Sequence, residues 1–444
     1  MHKPGPSRRD FLCASLVGVG AGAAAVAGTA QPPIVDPAER VSKCRLRPAV
    51  RDRILAGHRA ILDELKPTKA QLDRGLQLHY TSCAADAQGG ISLTYPGGLI
   101  GDRLAADKGL DRQKAMTFQA AYDPQWIEES RALYEIAGVQ LGLEDVAHPD
   151  DNTFDKALHL LARSTLAYDQ RQDLDRVVSW ETIESGRREG RPCIVQHLAA
   201  TGCFADAEDP IYQLDLFFAF GVRMSQLTYI QKNPLCCSWL QRDDAGLTDL
   251  GKRVVRRMNE LGILVDLAHC GHRTSHDVIE ASLEPPLISH TACKAIYDDA
   301  TNENYLDAVF AQPYARGVPR PDKTGSRHAA DDTLRALAAK GGLAAFYFIH
   351  YMLDAEGSRS FSAWYRHLEH AIEVAGIDHV GIGTDLGFFP GWQASPLDWT
   401  NWPYWTVGLV CKGLSDEEIR NVIGGNYLDH VRRVLNKRPW GEFL

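Results

Sequence analysis

The sequence predicts an α/β protein built as a single (β/α)8 TIM-type barrel, with amino-terminal helices and long loop insertions. Short apolar segments recur between residues 82 and 385, most of them separated by amphipathic helical stretches; that alternation gives a parallel sheet. Several of these segments are unbroken apolar runs, as strands covered on both faces are. Two successive ones end in histidine, and ligands collect at the carboxyl ends of parallel strands. The 444 residues are 45% hydrophobic, ample for one large core. A net charge of −9 leaves no basic footprint for nucleic acid.

In chain order, residues 1–30 predict a bacterial twin-arginine signal peptide and an exported, periplasmic protein. Ser7-Arg8-Arg9-Asp10-Phe11-Leu12 precedes a Gly/Ala-rich segment from Cys13 to Ala27, and Gly28-Thr29-Ala30 offers small residues ahead of Gln31. The segment is too short and too rich in Gly and Ala for a convincing span; an uncleaved anchor is the alternative. Residues 31–80 are a leader and two helices, Ala49 to Leu65 with Val50, Ile54, Leu55, Ile61, Leu62 and Leu65 on one face, and Ala70 to His79. His79 is taken as a surface or packing residue.

Residues 81–444 form the barrel. The strand segments run from Ser82 to Gln88, Gly138 to Leu143, Pro192 to Leu198, Gly221 to Thr228, Leu261 to His269, Leu287 to His290, Gly342 to Ile349 and Asp378 to Asp385. Two long loops, Gly89 to Gln125 and Tyr297 to Ser326, interrupt the repeat, and loops of that length are commonly functional. An aromatic cluster, Asn401-Trp402-Pro403-Tyr404-Trp405, follows the last strand, and helices Asp416 to Ile423 and Tyr427 to Leu435 end the fold. Ten cysteines, one of them in the signal, leave an odd number in the mature chain, so some disulfides and at least one free thiol are expected.

The most informative stretch is Leu261 to Thr291. An apolar strand ends in Ala268-His269. A helix follows with Thr274 or Ser275 as its N-cap, stopped by Pro285-Pro286. A second strand ends in Ser289-His290. Two histidines at successive strand ends suggest a metal or catalytic pair.

With Gly221-Val222-Arg223 through Leu227-Thr228, the run Gly246 to His269, Pro286 to Thr291, Val380-Gly381-Ile382-Gly383-Thr384-Asp385 and Gly424-Gly425-Asn426-Tyr427-Leu428, the chain resembles the membrane (renal-type) dipeptidases, peptidase family M19, which are amidohydrolase-related metal-dependent barrels. The resemblance implies zinc, two ions in the family. It assigns His269 and His290 as metal ligands, Asp385 as ligand and proton-transfer group, Arg327 as a substrate-binding arginine and Tyr229 at a substrate-contacting position. His328 stands where the family has asparagine. A family homodimer is also implied as an option.

The first metal site departs from the family pattern. Asp-x-His-x-Asp reads Asp86-Ala87-Gln88-Gly89-Gly90 here, and the bridging glutamate aligns with Gln196. Amides carry no net charge and bind zinc weakly, and two cations about 3.5–4 Å apart need anions between them. One Zn2+ is therefore expected, held by His269, His290 and Asp385, with Gln196, Asp86 and Gln88 as weaker candidates. His197 is a further stand-in, although Gln196 and His197, as strand neighbours, cannot both face inward. The expected function is metal-dependent hydrolysis of the amide bond in a dipeptide or similar small N-acyl compound. The alternatives are a barrel that binds a small molecule without cleaving it, and a different hydrolase or lyase.

Overall fold

A computed structural model describes residues 36–91, 120–147, 153–199, 201–301, 303–311, 323–387 and 398–436, with 315, 318 and 320 between them. The signal-peptide expectation and most of the first long loop lie outside the described residues. No described helix is long and apolar enough to cross a membrane.

The strands are β1 (Ala84–Ala85), β2 (Val139–Ala147), β3 (Asp175–Arg176), β4 (Cys193–Leu198), β5 (Val222–Gln226), β6 (Leu264–Asp266), β7 (Leu287–Thr291), β8 (Leu343–Phe346) and β9 (Val380–Ile382). They run parallel in the order β1-β2-β4-β5-β6-β7-β8-β9, with β3 pairing β4 off that path. Between the last strand and the first, the Ala87 N–H donates to the Ile382 carbonyl at 3.0 Å and the Gly90 N–H to the Leu386 carbonyl at 3.3 Å. Each predicted strand segment is present, several of them shorter than its apolar run. The short β3 has no counterpart in the prediction, because two residues carry no periodicity.

The segment before His269 shows why boundaries moved. Leu261 is the last residue of the helix Asp249–Leu261, and Gly262 ends it in the left-handed region at φ 77°. The strand then begins at Leu264. The following helix is His272–Ala281, starting ahead of the expected Thr274 or Ser275 cap. Its early start is supported from another loop, because the Asp244 carboxylate accepts the Thr274 N–H at 2.8 Å and the Thr274 hydroxyl at 2.7 Å. The second long loop contains a helix of its own, Glu303–Phe310.

Strand parity sorts side chains into two cores. Ala85, Leu141, Leu143, Cys193, Val195, Met224, Leu264, Leu287 and Leu343 pack together inside the ring with Tyr427, Leu428, Val431 and Val434 of the closing helix Asn426–Leu435. Those closing-helix side chains are part of the packed barrel interior. Ile194, Leu198, Val265 and Ile288 belong to the outer core beneath the surrounding helices. His79 is part of that outer packing. Its ring lies 2.7 Å from the Ala137 carbonyl and 2.9 Å from the Thr406 hydroxyl, and burial lowers its pKa to about 4.

The nine described cysteines are all free, which corrects the expectation of disulfides. Six of them are buried and act as small packing residues.

One buried carboxylate joins the first strand to the last. Asp86 accepts the Thr384 N–H at 2.9 Å, the Thr384 hydroxyl at 2.7 Å and the Gln88 N–H at 3.2 Å. The indole N–H groups of Trp399 and Trp402, from the aromatic cluster, each donate to it at 3.1 Å. Removing the carboxylate strands several buried donors at once. Asp86→Ala is therefore expected to lower unfolding free energy by about 3–5 kcal/mol, with Asp86→Asn less damaging. Urea denaturation followed by tryptophan fluorescence measures it, and a loss under about 1 kcal/mol would show that the closure does not depend on this group.

Candidate active site

The same device recurs at the end of β6. Asp266 accepts the Ala268 N–H at 2.9 Å, the Ser289 N–H at 2.9 Å and the Ser289 hydroxyl at 2.6 Å. The Ser289 oxygen lies 2.7 Å from His290 Nδ1. Because that hydroxyl donates to Asp266, it is free to accept a proton from Nδ1, and this assigns His290 the tautomer whose Nε2 lone pair faces outward from the chain of bonds. His290 Nε2 lies 3.2 Å from His269 Nε2.

His269 is held from two sides. Its backbone is in the left-handed region at φ 65°, and the Tyr229 ring stacks on the imidazole with centroids 4.0 Å apart and planes at 25°. Burial, with the Arg327 charge adding, lowers both histidine pKa values well below the usual range, so both rings are neutral and able to bind a cation.

Asp385 follows Thr384, the residue held by Asp86. Its backbone is left-handed too, at φ 54°. Among the described residues only Lys66, His269 and Asp385 are non-glycines with positive φ; backbone strain of this kind gathers at functional positions. Gly383 before it lies so close to β7 that a Cβ would run into the Ser289 carbonyl. Burial raises the Asp385 pKa to about 7; Arg327 opposes that, and Asp145 and Asp86 reinforce it. Arg327 is buried and donates to the His290 carbonyl at 3.1 Å, while its Nε has no hydrogen-bond partner. The Asp299 carboxylate holds the Arg327 N–H at 3.0 Å. His328 is buried with Nδ1 2.7 Å from the Tyr297 carbonyl, a packing role.

The weaker ligand candidates resolve differently. Asp86 accepts five hydrogen bonds, all of which serve the closure of the barrel. Gln196 faces away from the barrel interior, its amide donating to Ser164 at 2.9 Å. The inward position beside it belongs to His197, the next residue in the pleat. Gln88 reaches the mouth, but its amide donates toward Asp145 at 3.3 Å. His197 lies in register with Asp145. Its Nδ1 is 2.7 Å from the Asp145 carboxylate and its Nε2 3.5 Å from Asp266. Burial pulls this ring's pKa down, but the bonds to Asp145 and Asp266 outweigh it, and the pKa rises to about 9.

Sequence reasoning missed Asp145, Asp266, Ser289 and Gln226. Gln226 is a buried amide on β5, in register with Asp266, whose oxygen and nitrogen have no partner. The available signal was a polar side chain inside a strand otherwise covered on both faces.

Zinc bonded to two imidazoles at about 2.0–2.1 Å in a tetrahedron puts the nitrogens roughly 3.3 Å apart. The 3.2 Å between His269 Nε2 and His290 Nε2 fits that edge. At the first-strand positions Gln88 and Gly90 supply no anion, and His197 lies between the Asp145 and Asp266 carboxylates. His269, His290 and Asp385 do not bring three ligand atoms within 4.8 Å of one another; among the described residues His272, His276 and Asp332 do.

The profile of the membrane dipeptidase family, Peptidase family M19, matches residues 143–312 and 322–438. The chain belongs to the membrane dipeptidase family. The matched residues begin inside β2, so the departed first-strand motif lies ahead of them. Dipeptidase verJ of Clonostachys rogersoniana is 28% identical over 277 residues, covering 61% of this chain and 63% of that protein. An uncharacterized dipeptidase of Schizosaccharomyces pombe is 26% identical over 223 residues, covering 48% of this chain and 46% of its own length. The chain thus spans about half to two thirds of these relatives. The crystal structure of the probable dipeptidase PvdM from Pseudomonas aeruginosa superposes with a TM-score of 0.61 at 17% identity, over 84% of this chain and all of that one, a likeness of fold.

In this dipeptidase-family barrel the His197 cation stabilises only while it is protonated. Its pKa in the folded protein exceeds the unfolded value, so the contribution is complete below about pH 6.5 and fades as pH rises through about 9. His197→Gln is expected to cost more stability at pH 6 than at pH 9.5, read from denaturation midpoints at each pH. An equal cost at both would mean that the ring is neutral.

Proposed function

We propose that this protein is a metal-dependent hydrolase that cleaves the amide bond of a dipeptide or similar small N-acyl compound, using one divalent ion rather than two, with zinc the expected metal. The reading is carried by the neutral His269 and His290 pair, whose Nε2 atoms lie 3.2 Å apart at the strand ends. Membership of the family and the dipeptidase names of its relatives support the substrate class.

His269 and His290 would hold the ion. A bound cation would polarise the scissile carbonyl and bring the pKa of water toward neutrality. Arg327 binds the substrate carboxylate through its guanidinium, and Tyr229 both fixes His269 and offers its own face to the substrate. Asp385, with its pKa near 7, takes the proton from the attacking water and returns it to the leaving amine.

A second reading is a barrel that binds a small amide without cleaving it. It is favoured by Gln88 and Gly90, which stand where the family pattern has a histidine and an aspartate, and by the positively charged His197 beside Asp145. We also propose export by the twin-arginine route on the strength of Ser7 to Leu12, testable by amino-terminal sequencing of the mature protein. A family-type homodimer is a further proposal, read by light scattering.

Two measurements test the enzyme reading. The double variant His269→Ala/His290→Ala is expected to lose one equivalent of zinc and all turnover of a panel of L,L- and L,D-dipeptides. Retained metal and turnover would overturn the site, and metal without turnover in the wild type would favour the binding reading. Because Asp385 must be ionised to accept a proton, kcat/KM should rise with pH along an acid limb that lies below the ion-free pKa of about 7, since a bound cation favours the carboxylate. Asp385→Asn should remove that limb and reduce kcat by roughly 10²–10⁴.

A further inference from the structure

A second group of ligand-type side chains lies on the outside of the barrel. His272 and His276 are four residues apart on the helix His272–Ala281, so they share one face. Asp332 is in the first turn of the neighbouring helix Asp331–Ala339. His272 Nε2 lies 3.2 Å and His276 Nε2 3.5 Å from the same oxygen, Asp332 Oδ2. One ligand atom from each of the three falls within 4.8 Å of the other two, which no other set of three such residues achieves among the described residues. The Thr333 hydroxyl adjoins both rings, at 3.4 Å from His272 Nδ1 and 3.3 Å from His276 Nε2. The side chains of His272 and Asp332 are each 57% exposed and that of His276 is 35% exposed, so an ion can enter from solvent.

We propose that His272, His276 and Asp332 form a surface site for one divalent transition-metal ion of the zinc, copper or nickel class, separate from the barrel mouth. Two imidazole nitrogens and one carboxylate, with water completing the shell, are the donor set these ions select. An exposed ion pair explains the arrangement less well. One histidine would suffice for it, and such pairs contribute little. The two helix N-termini disfavour a cation; the negative charge of Asp332 offsets that. Asp331 beside it is engaged with His370 at 2.8 Å, which ties the site to the next helix, Phe361–Ala375.

The site's position gives it a consequence. The helix bearing His272 starts three residues after His269, and the helix bearing Asp332 starts four residues after Arg327. An ion bridging them staples the segment that presents a site histidine to the segment that presents the arginine. The site does not depend on hydrolysis, because it uses none of the residues at the mouth.

Zinc alone, titrated into the full chain at pH 7.5 against a chelating indicator, tests it. His272→Ala/His276→Ala is expected to bind one equivalent fewer than the wild type, and Asp332→Asn to weaken that equivalent at least tenfold. His269→Ala/His290→Ala should keep it. With Cu2+ in that last background, electron paramagnetic resonance should show coupling to two imidazole nitrogens, lost when His272 and His276 are also replaced. Zinc should raise the melting temperature of the wild type more than that of His272→Ala/His276→Ala. If the wild type and His272→Ala/His276→Ala bind zinc with equal stoichiometry and affinity, the proposal is wrong. That comparison decides even if the mouth variant fails to fold. Failure of the hydrolase reading would instead follow His269 and His290.

Discussion

The site depends on a buried carboxylate that ties one strand end to its neighbour. It occurs twice in the same form. Asp86 accepts the N–H of the second residue after it, and the N–H and hydroxyl of Thr384 on the adjoining strand. Asp266 makes the corresponding three bonds to Ala268 and Ser289. In each case the residue after the gripped hydroxyl is a site group, Asp385 in one and His290 in the other. A buried carboxylate that loses its donors is costly, so each clasp has one low-energy arrangement, and each site residue inherits it. The grip also supports the left-handed backbone at Asp385, which an unanchored chain end would relax.

Electrostatics then divides the mouth into two halves. On the side of β6 and β7, His269 and His290 are stripped of water and repelled by Arg327, so they stay neutral and keep lone pairs available. On the side of β2 and β4, His197 is flanked by Asp145 and Asp266 and is held charged. Gln88 turns its amide toward Asp145 on the same side. The Asp145 and Asp266 carboxylates, which would otherwise repel each other, share the His197 imidazolium.

Layers behind the mouth set its precision. Tyr229 stacks on His269, Ser289 fixes the tautomer of His290, and Asp299 holds the backbone of Arg327. These contacts come from separate segments, Tyr229 after β5, Ser289 within β7 and Asp299 after β7. The reactive groups are therefore positioned by the barrel rim and not by one flexible segment.

The succession of apolar segments and helices already contained the barrel, because covered strands and amphipathic helices leave periodicities that need no tertiary information. His269 and His290 stood out in the sequence because the ends of parallel strands are positions the topology makes special, whereas Asp385 and Arg327 were singled out only by the family resemblance. Which face of a strand looks inward was not legible. Gln196 and His197 are adjacent, and a shift of one residue exchanges them; only pairing with Asp145 across β2 put His197 inside. Asp86 likewise reads as a ligand until Trp399 and Trp402, more than 300 residues away, are seen to donate to it. Local pattern determines which elements form, while the partner of a buried polar group is chosen by chain that is distant in sequence, and that choice exists only once the barrel has closed.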